Sequence, residues 1–189
     1  NLLGLSEAVV ANRADVGIAL DGDADRVGLV DEKGRFISTL HTFALLALYF
    51  LEVRGLRGPL VKSITMSSMV YRLGELYHVP VYETPVGFKY ISPVMMGQDA
   101  LAAGEESGGY AFRGHIPERD GILSGLYLLD LLSRTGRSPS ELMGQLFEKV
   151  GPHFFNRLDV PFRAEQSVET KGKMDSQRPE TLGGLRVIG

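Results

Sequence analysis

In the stretch Ile18-Ala19-Leu20-Asp21-Gly22-Asp23-Ala24-Asp25-Arg26-Val27-Gly28-Leu29-Val30, two apolar runs flank a loop with three carboxylates at alternate positions and an arginine directly after them. Two carboxylates about 5 Å apart repel by roughly 1 kcal/mol in bulk water and by about 3 kcal/mol at an effective dielectric of about 20. Three such pairs in one tight loop are costly unless a cation sits among them. Carboxylate oxygen suits a hard divalent ion such as Mg2+ or Ca2+. Asp21, Asp23 and Asp25 are therefore the candidate metal ligands; the plainer alternative is a solvated acidic turn with Arg26 as its counter-ion.

Two other acidic-loop chemistries fail on detail. An EF-hand places glycine after its third acidic ligand, glutamate at loop position twelve, and helices on both sides. Glu32 falls at position twelve, but Arg26 replaces the glycine and the flanking runs read as strands. An aspartyl-phosphate phosphatase has an apolar strand ending in Asp-x-Asp-x-Thr/Val. Ile18 to Asp23 imitates it, but Asp25 stands in place of threonine or valine, and a hairpin follows where a crossover helix is needed.

Three further segments carry chemistry. Gly104-Glu105-Glu106-Ser107-Gly108-Gly109 sets two carboxylates and a hydroxyl among glycines that permit a tight turn and close approach to a ligand. Carboxylate and hydroxyl together suit vicinal sugar hydroxyls, and since adjacent glutamates point apart, one of them faces the ligand. Thr84-Pro85-Val86-Gly87-Phe88-Lys89 reads as a strand end entering a helix, where backbone N–H groups and Lys89 can hold an anion. His115-Ile116-Pro117-Glu118-Arg119-Asp120-Gly121 is a charged loop; His115 and Arg119 are candidates for phosphate contact or proton transfer, and Asp120 for a helix N-cap. Each of the three also reads as an ordinary solvated loop.

These loops need elements to position them. Residues 6–12 end a helix; 16–20 and 26–31 are strands; Glu32-Lys33-Gly34 is a turn with positive φ at glycine, and 35–38 pairs back as a hairpin. A helix over 39–54 shows one apolar face of Leu40, Phe43, Ala44, Ala47, Leu48 and Leu51. Strands at 60–64, 79–82 and 100–103 then alternate with helices at 67–77 and 88–98, the second disturbed by Pro93. An apolar helix over 121–134 precedes Ser138-Pro139-Ser140-Glu141, a capping box that starts a helix running to about Val150. A strand is expected over 153–162, a polar linker over 163–179 and a new element near 185–188. Strand–helix alternation implies a three-layer α/β domain with a mixed, mostly parallel sheet. Ligands in such sheets bind beyond the carboxyl ends of the strands, where these loops lie.

Composition narrows the class. The chain has 189 residues, 44% of them hydrophobic, and a net charge of −3 from 20 basic and 23 acidic residues. Nothing argues for nucleic acid or an anionic membrane. There is no cysteine for disulfide or thiolate chemistry, which suits a cytoplasmic protein. The longest apolar run, 43–51, is too short to span a bilayer. Asn1 at the start and an apolar run just before Gly189 suggest a fragment.

With those residues in place, the chain resembles the alpha-D-phosphohexomutase family of phosphoglucomutases, phosphomannomutases and phosphoglucosamine mutases. Asp21-Gly22-Asp23-Ala24-Asp25-Arg26 is similar to its metal loop and Gly104-Glu105-Glu106-Ser107-Gly108 to its sugar-recognition loop, in the same order and with an α/β domain between. The resemblance implies the hairpin-containing end of a second α/β domain over 1–38, a complete third domain over 39–152, and a linker into a fourth over 153–189. It implies an isomerase that interconverts hexose 1- and 6-phosphates of glucose or mannose through a phosphoserine and a bisphosphate intermediate. Asp21, Asp23 and Asp25 would hold Mg2+, Arg26 would stabilise the transferring phosphoryl group, and Glu105 and Ser107 would bind sugar hydroxyls. Lys89, His115 and Arg119 would line the cleft, His115 or Arg119 assisting proton transfer. The family's Ser-His-Asn-Pro and Arg-x-Ser-Gly-Thr segments, from its first and fourth domains, do not occur in these residues. The chain alone is accordingly expected to be inactive and to need those domains of the same polypeptide. Gly109 stands where some members carry histidine or phenylalanine, which leaves the sugar preference open. The reading from a different class is a non-catalytic metal- or carbohydrate-binding module.

Overall fold

Alternating apolar residues decide how the strands are covered. The computed structural model describes residues 2–154, which form one unit containing two sheets. Helix α1 (Leu3–Asn12) leads into an antiparallel sheet of β1 (Val16–Leu20), β2 (Val27–Asp31) and β3 (Phe36–Ile37), in which Leu20 pairs with Val27 across the acidic loop. The second sheet has the order β5-β4-β6-β7, from β4 (Leu60–Ser63), β5 (Val81–Thr84), β6 (Ala102–Gly104) and β7 (Tyr110–Phe112). Strands β5, β4 and β6 are parallel; β7 runs antiparallel to β6.

Successive side chains of these strands point to opposite faces. Val61, Ala103 and Ala111 face α4 (Phe88–Gly97), which buries Phe88, Ile91 and Met95 on them. Leu60, Ala102, Tyr110 and Phe112 belong to the larger core, built with α2 (Thr39–Leu48), α3 (Met69–Tyr77), α5 (Gly121–Thr135) and α6 (Pro139–Val150). The result is the expected three-layer α/β arrangement with a mixed, mostly parallel sheet.

Several elements differ from the sequence reading. The α2 helix is not amphipathic: Leu40 and Thr42 to Leu48 are all buried, because α3, α5, α6 and β2 surround it. Its α-helical part ends at Leu48, and a π-helical turn, Tyr49–Val53, completes it. Strands β5 and β6 lie one to two residues later than periodicity indicates, and β7 was not foreseen: three residues are too few to show alternation. Pro93 does not interrupt α4. The Ser138 capping box forms as expected, with Glu141 reaching back to the Ser138 N–H at 2.8 Å. His153 and Phe154 carry no strand; the rest of that expected strand, the linker and the element near 185–188 lie outside the described residues.

The sheet that carries the acidic loop is fixed at its other turn, between β2 and β3. Gly34 takes φ +76°, and the buried Asp31 accepts hydrogen bonds from Lys33 N (3.0 Å), Arg35 N (2.8 Å) and Arg35 Nε (2.8 Å). Glu32 accepts from Ser140 Oγ and, at 3.2 Å, from Ser140 N in the first turn of α6, where the helix dipole favours an acid. Burial acts to raise the Asp31 pKa, but the bonds from Arg35 and Lys33 outweigh it and hold the carboxyl below the usual aspartate range. A depressed folded-state pKa gives stability that is present above the unfolded value, about 3.9, and is lost as pH falls through the folded value. Asp31→Asn is expected to cost about 1–2 kcal/mol at pH 7. In urea unfolding across pH 2–7, the gap between variant and wild type should close below about pH 4; a pH-independent gap would contradict the ionic role.

Candidate functional site

The acidic loop is shaped by a backbone position that sequence does not advertise. Ala24 has φ +58°, left-handed for a non-glycine residue, and its N–H donates to Asp21 O at 3.2 Å. This turn gathers the side chains of Asp21, Asp23 and Asp25, so that one ligand oxygen from each lies within 4.8 Å of the others. Asp23 is exposed; Asp21 and Asp25 are half-buried. Hard oxygen donors at this spacing fit a divalent cation of the Mg2+ class.

Two arginines already stand among the carboxylates. Arg26 Nε pairs with Asp21 Oδ2 and lies 3.4 Å from Asp25 Oδ1, while Arg26 N donates to Asp21 Oδ1 at 3.2 Å. Arg119 Nη2 is 2.7 Å from Asp25 Oδ2, and its Nη1 is 3.0 Å from Glu105 Oε1. At Asp21, burial works upward, but the Arg26 side-chain and backbone hydrogen bonds prevail and lower the pKa. Asp25 goes the other way: burial, joined by the charges of Asp23 and Asp21, raises its pKa despite Arg119. Three carboxylates of the loop and that of Glu105 thus share two guanidiniums.

The second motif closes against the first. Gly104 to Tyr110 is the turn of the β6–β7 hairpin, with Glu105 N donating to Gly109 O at 3.1 Å. Glu105 is buried and accepts from Ser107 Oγ at 2.7 Å as well as from Arg119. Glu106 points elsewhere, accepting from Ser63 Oγ (3.1 Å) and Thr65 Oγ1 at the carboxyl end of β4. Gly108 O accepts from Val27 N at 3.0 Å, so the two hairpins are joined directly beside Arg26. A Cβ on Gly108 would stand 2.9 Å from Val27 O, and Gly108 takes φ +95°; both demand glycine. Gly109 leaves room for Arg119, whose Cδ would be 2.3 Å from an added Cβ.

Arg119 comes from the segment before α5, where Asp120 is the N-cap: its Oδ1 accepts from Leu123 N at 2.8 Å, and its Oδ2 meets His115 Nε2 at 2.9 Å. The Gly121 N–H donates to Ala24 O at 2.9 Å, so the start of α5 rests on the acidic loop. Phe88, at the start of α4, lies under the Arg119 guanidinium at 5.7 Å from ring centre.

Of the residues singled out in sequence, Asp21, Asp23, Asp25, Arg26, Arg119, Glu105 and Ser107 thus form one contiguous cluster. His115 is joined to it through the Arg119–Asp120 backbone, not by direct contact. Lys89 is exposed, its Nζ over the Tyr90 ring at 4.9 Å, and is not drawn into the cluster. Sequence reasoning missed the hydroxyls of Ser63 and Thr65 on Glu106; their place at the end of an apolar strand was the available signal.

Comparison with known proteins agrees with this architecture. Residues 40–150 match the family described as phosphoglucomutase/phosphomannomutase, alpha/beta/alpha domain III. A phosphoglucosamine mutase of Solidesulfovibrio magneticus is 39% identical over 139 residues, covering 73% of this chain and 31% of the relative. A phosphoglucomutase/phosphomannomutase of Thermococcus kodakarensis is 36% identical over 146 residues, covering 77% of this chain and 32% of the relative. The crystal structure of a putative phosphomannomutase from Thermus thermophilus superposes with a TM-score of 0.75 at 37% identity, over 79% of this chain and 34% of that one. The chain belongs to the alpha-D-phosphohexomutase family, and it spans about a third of the length of the relatives it matches.

The close approach at Gly121 can be tested. A Cβ there would meet Arg26 O at 2.6 Å and Ala24 O at 2.8 Å, both backbone, whereas a Cβ on Gly144 in α6 meets nothing within 4 Å among the described residues. Gly121→Ala is expected to lose about 1–3 kcal/mol of stability, and Gly144→Ala to gain about 0.5–1 kcal/mol. Urea unfolding of both variants measures the contrast; equal midpoints would show that α5 does not bear on the loop.

Proposed function

We propose that this chain is the metal- and sugar-binding part of a phosphohexomutase, which interconverts a hexose 1-phosphate and hexose 6-phosphate through a phosphoserine supplied by another part of the polypeptide. The observation that carries the reading is the Arg119 guanidinium, which holds a carboxylate of the acidic loop and one of the glycine-rich loop at once. A metal site and a hydroxyl-binding site in contact are what phosphoryl transfer to a sugar requires.

In this reading Asp21, Asp23 and Asp25 hold Mg2+. Bound there, the ion would offset negative charge on the phosphoryl group during transfer. Arg26, with an exposed guanidinium, donates charge-assisted hydrogen bonds to the phosphoryl oxygens. Glu105 and Ser107 bind ring hydroxyls, positioning either end of the sugar toward the loop. His115, oriented by Asp120, moves the proton of the attacking hydroxyl. Arg119 is unsuited to that step: burial lowers its pKa, but Glu105 and Asp25 outweigh this and raise it, so the guanidinium stays charged. Lys89 serves the substrate phosphate from the start of α4. Glucose and mannose phosphates are the proposed substrates, and phosphoglucosamine mutases among the relatives add glucosamine phosphate to that class.

Two substitutions in the complete polypeptide test the assignment. Asp23→Asn should lower Mg2+-dependent conversion of glucose 1-phosphate to glucose 6-phosphate at least tenfold; wild-type turnover would refute the metal role. Glu105→Ala should weaken hexose-phosphate binding about 10- to 150-fold, the range for losing a hydrogen bond to a charged group. Its effect on Mg2+ affinity should be smaller. Unaltered sugar-phosphate affinity in calorimetry would count against Glu105.

A further inference from the structure

Asp25 is claimed on both oxygens, Oδ1 by Arg26 at 3.4 Å and Oδ2 by Arg119 at 2.7 Å. A cation binding at the acidic loop must therefore compete with a guanidinium for this carboxylate. Arg119 is itself claimed twice, by Asp25 and by Glu105, through a rigid planar fork. Its stem passes over Gly109 and its guanidinium carbon lies 5.7 Å from the Phe88 ring centre, so the head can turn at the end of a seated stem. One such reorientation is available. Arg119 Nε is buried with no hydrogen-bond partner among the described residues, and Glu118 Oε1 lies 3.5 Å from it, an ion pair without a hydrogen bond. Glu118 Oε1 is thus an acceptor within reach of Nε once Asp25 releases the head.

We propose that Arg119 is a positioning residue that couples the two loops: the hold of Glu105 on its guanidinium sets how strongly Asp25 is occupied by an internal cation, and so how readily the acidic loop takes Mg2+. The sign follows from competition. Removing the Glu105 charge lets Arg119 lean fully onto Asp25 and weakens Mg2+ binding. Removing the guanidinium strengthens Mg2+ binding and severs the influence of Glu105. By linkage, whatever draws Arg119 toward the sugar loop favours the metal, and bound metal hands Arg119 to the sugar loop.

This inference rests on the metal reading above, and one experiment separates the two. MgCl2 alone is titrated calorimetrically into the complete polypeptide as wild type, Glu105→Gln, Arg119→Gln and the double variant, with thermal melts to verify folding. Arg119→Gln should tighten Mg2+ binding at least threefold, and Glu105→Gln should weaken it at least threefold. The double variant should match Arg119→Gln within twofold, the non-additivity that coupling through a shared residue produces. Equal effects of Glu105→Gln with and without Arg119 would overturn the coupling while leaving the metal site intact. Wild-type protein that takes up no Mg2+ would overturn both. If Arg119→Gln does not fold, Arg119→Lys replaces it: an ammonium lacks the fixed, planar pair of donors that the guanidinium sets on the two carboxylates, so the Glu105→Gln effect should fall by at least half, and an undiminished effect would refute the proposal.

Discussion

Crowding of like charge on one short loop is the constraint from which the rest of the structure follows. Asp21, Asp23 and Asp25 bring their oxygens within 4.8 Å of one another, a placement that costs several kcal/mol at an effective dielectric of about 20 unless positive charge is near. Two guanidiniums supply part of it. Arg26 comes from the loop itself. Arg119 arrives from a segment far along the chain, and its arrival dictates much else: Gly109 to let the stem pass, Phe88 to seat the head, and Asp120 to start α5 immediately afterwards.

Backbone contacts make this arrangement specific. The Ala24 carbonyl receives the first N–H of α5, and Val27 N meets Gly108 O. Both contacts bring main chain to main chain at distances that leave no room for a Cβ at Gly108 or Gly121. The left-handed Ala24 costs about 1 kcal/mol, and it is what turns alternate side chains of an otherwise extended segment toward a common centre.

The site was more legible in the sequence than the fold around it. Alternating aspartates between apolar runs, and glutamate and serine among glycines, stand out by residue type and spacing, and the fold brings them together. The strand–helix alternation was equally plain, because some helices carry their own cap or stop, as at Ser138 and Gly136. Other features were set by tertiary context. Strand β7 exists because the β6 hairpin partner is there to pair with, not because Tyr110-Ala111-Phe112 has a pattern. The all-round burial of α2 depends on how many elements pack against it, and an apolar stripe cannot report that number. The Arg119 bridge joins residues whose proximity only the folded chain creates. Lys89 marks the same limit: its place at a helix start is legible, but its separation from the cluster is set by the fold.

The hairpin of β1 and β2 behaves as a beam clamped at both ends. At one end the acidic loop is pinned by the start of α5; at the other, Glu32 and Lys33 grip Ser140 at the start of α6. A beam held this way resists rotation as well as translation, so the carboxylates share the rigid frame of the helices behind them. A ligand that reaches this loop therefore meets carboxylates whose positions are set by the starts of α5 and α6 and not by the loop alone.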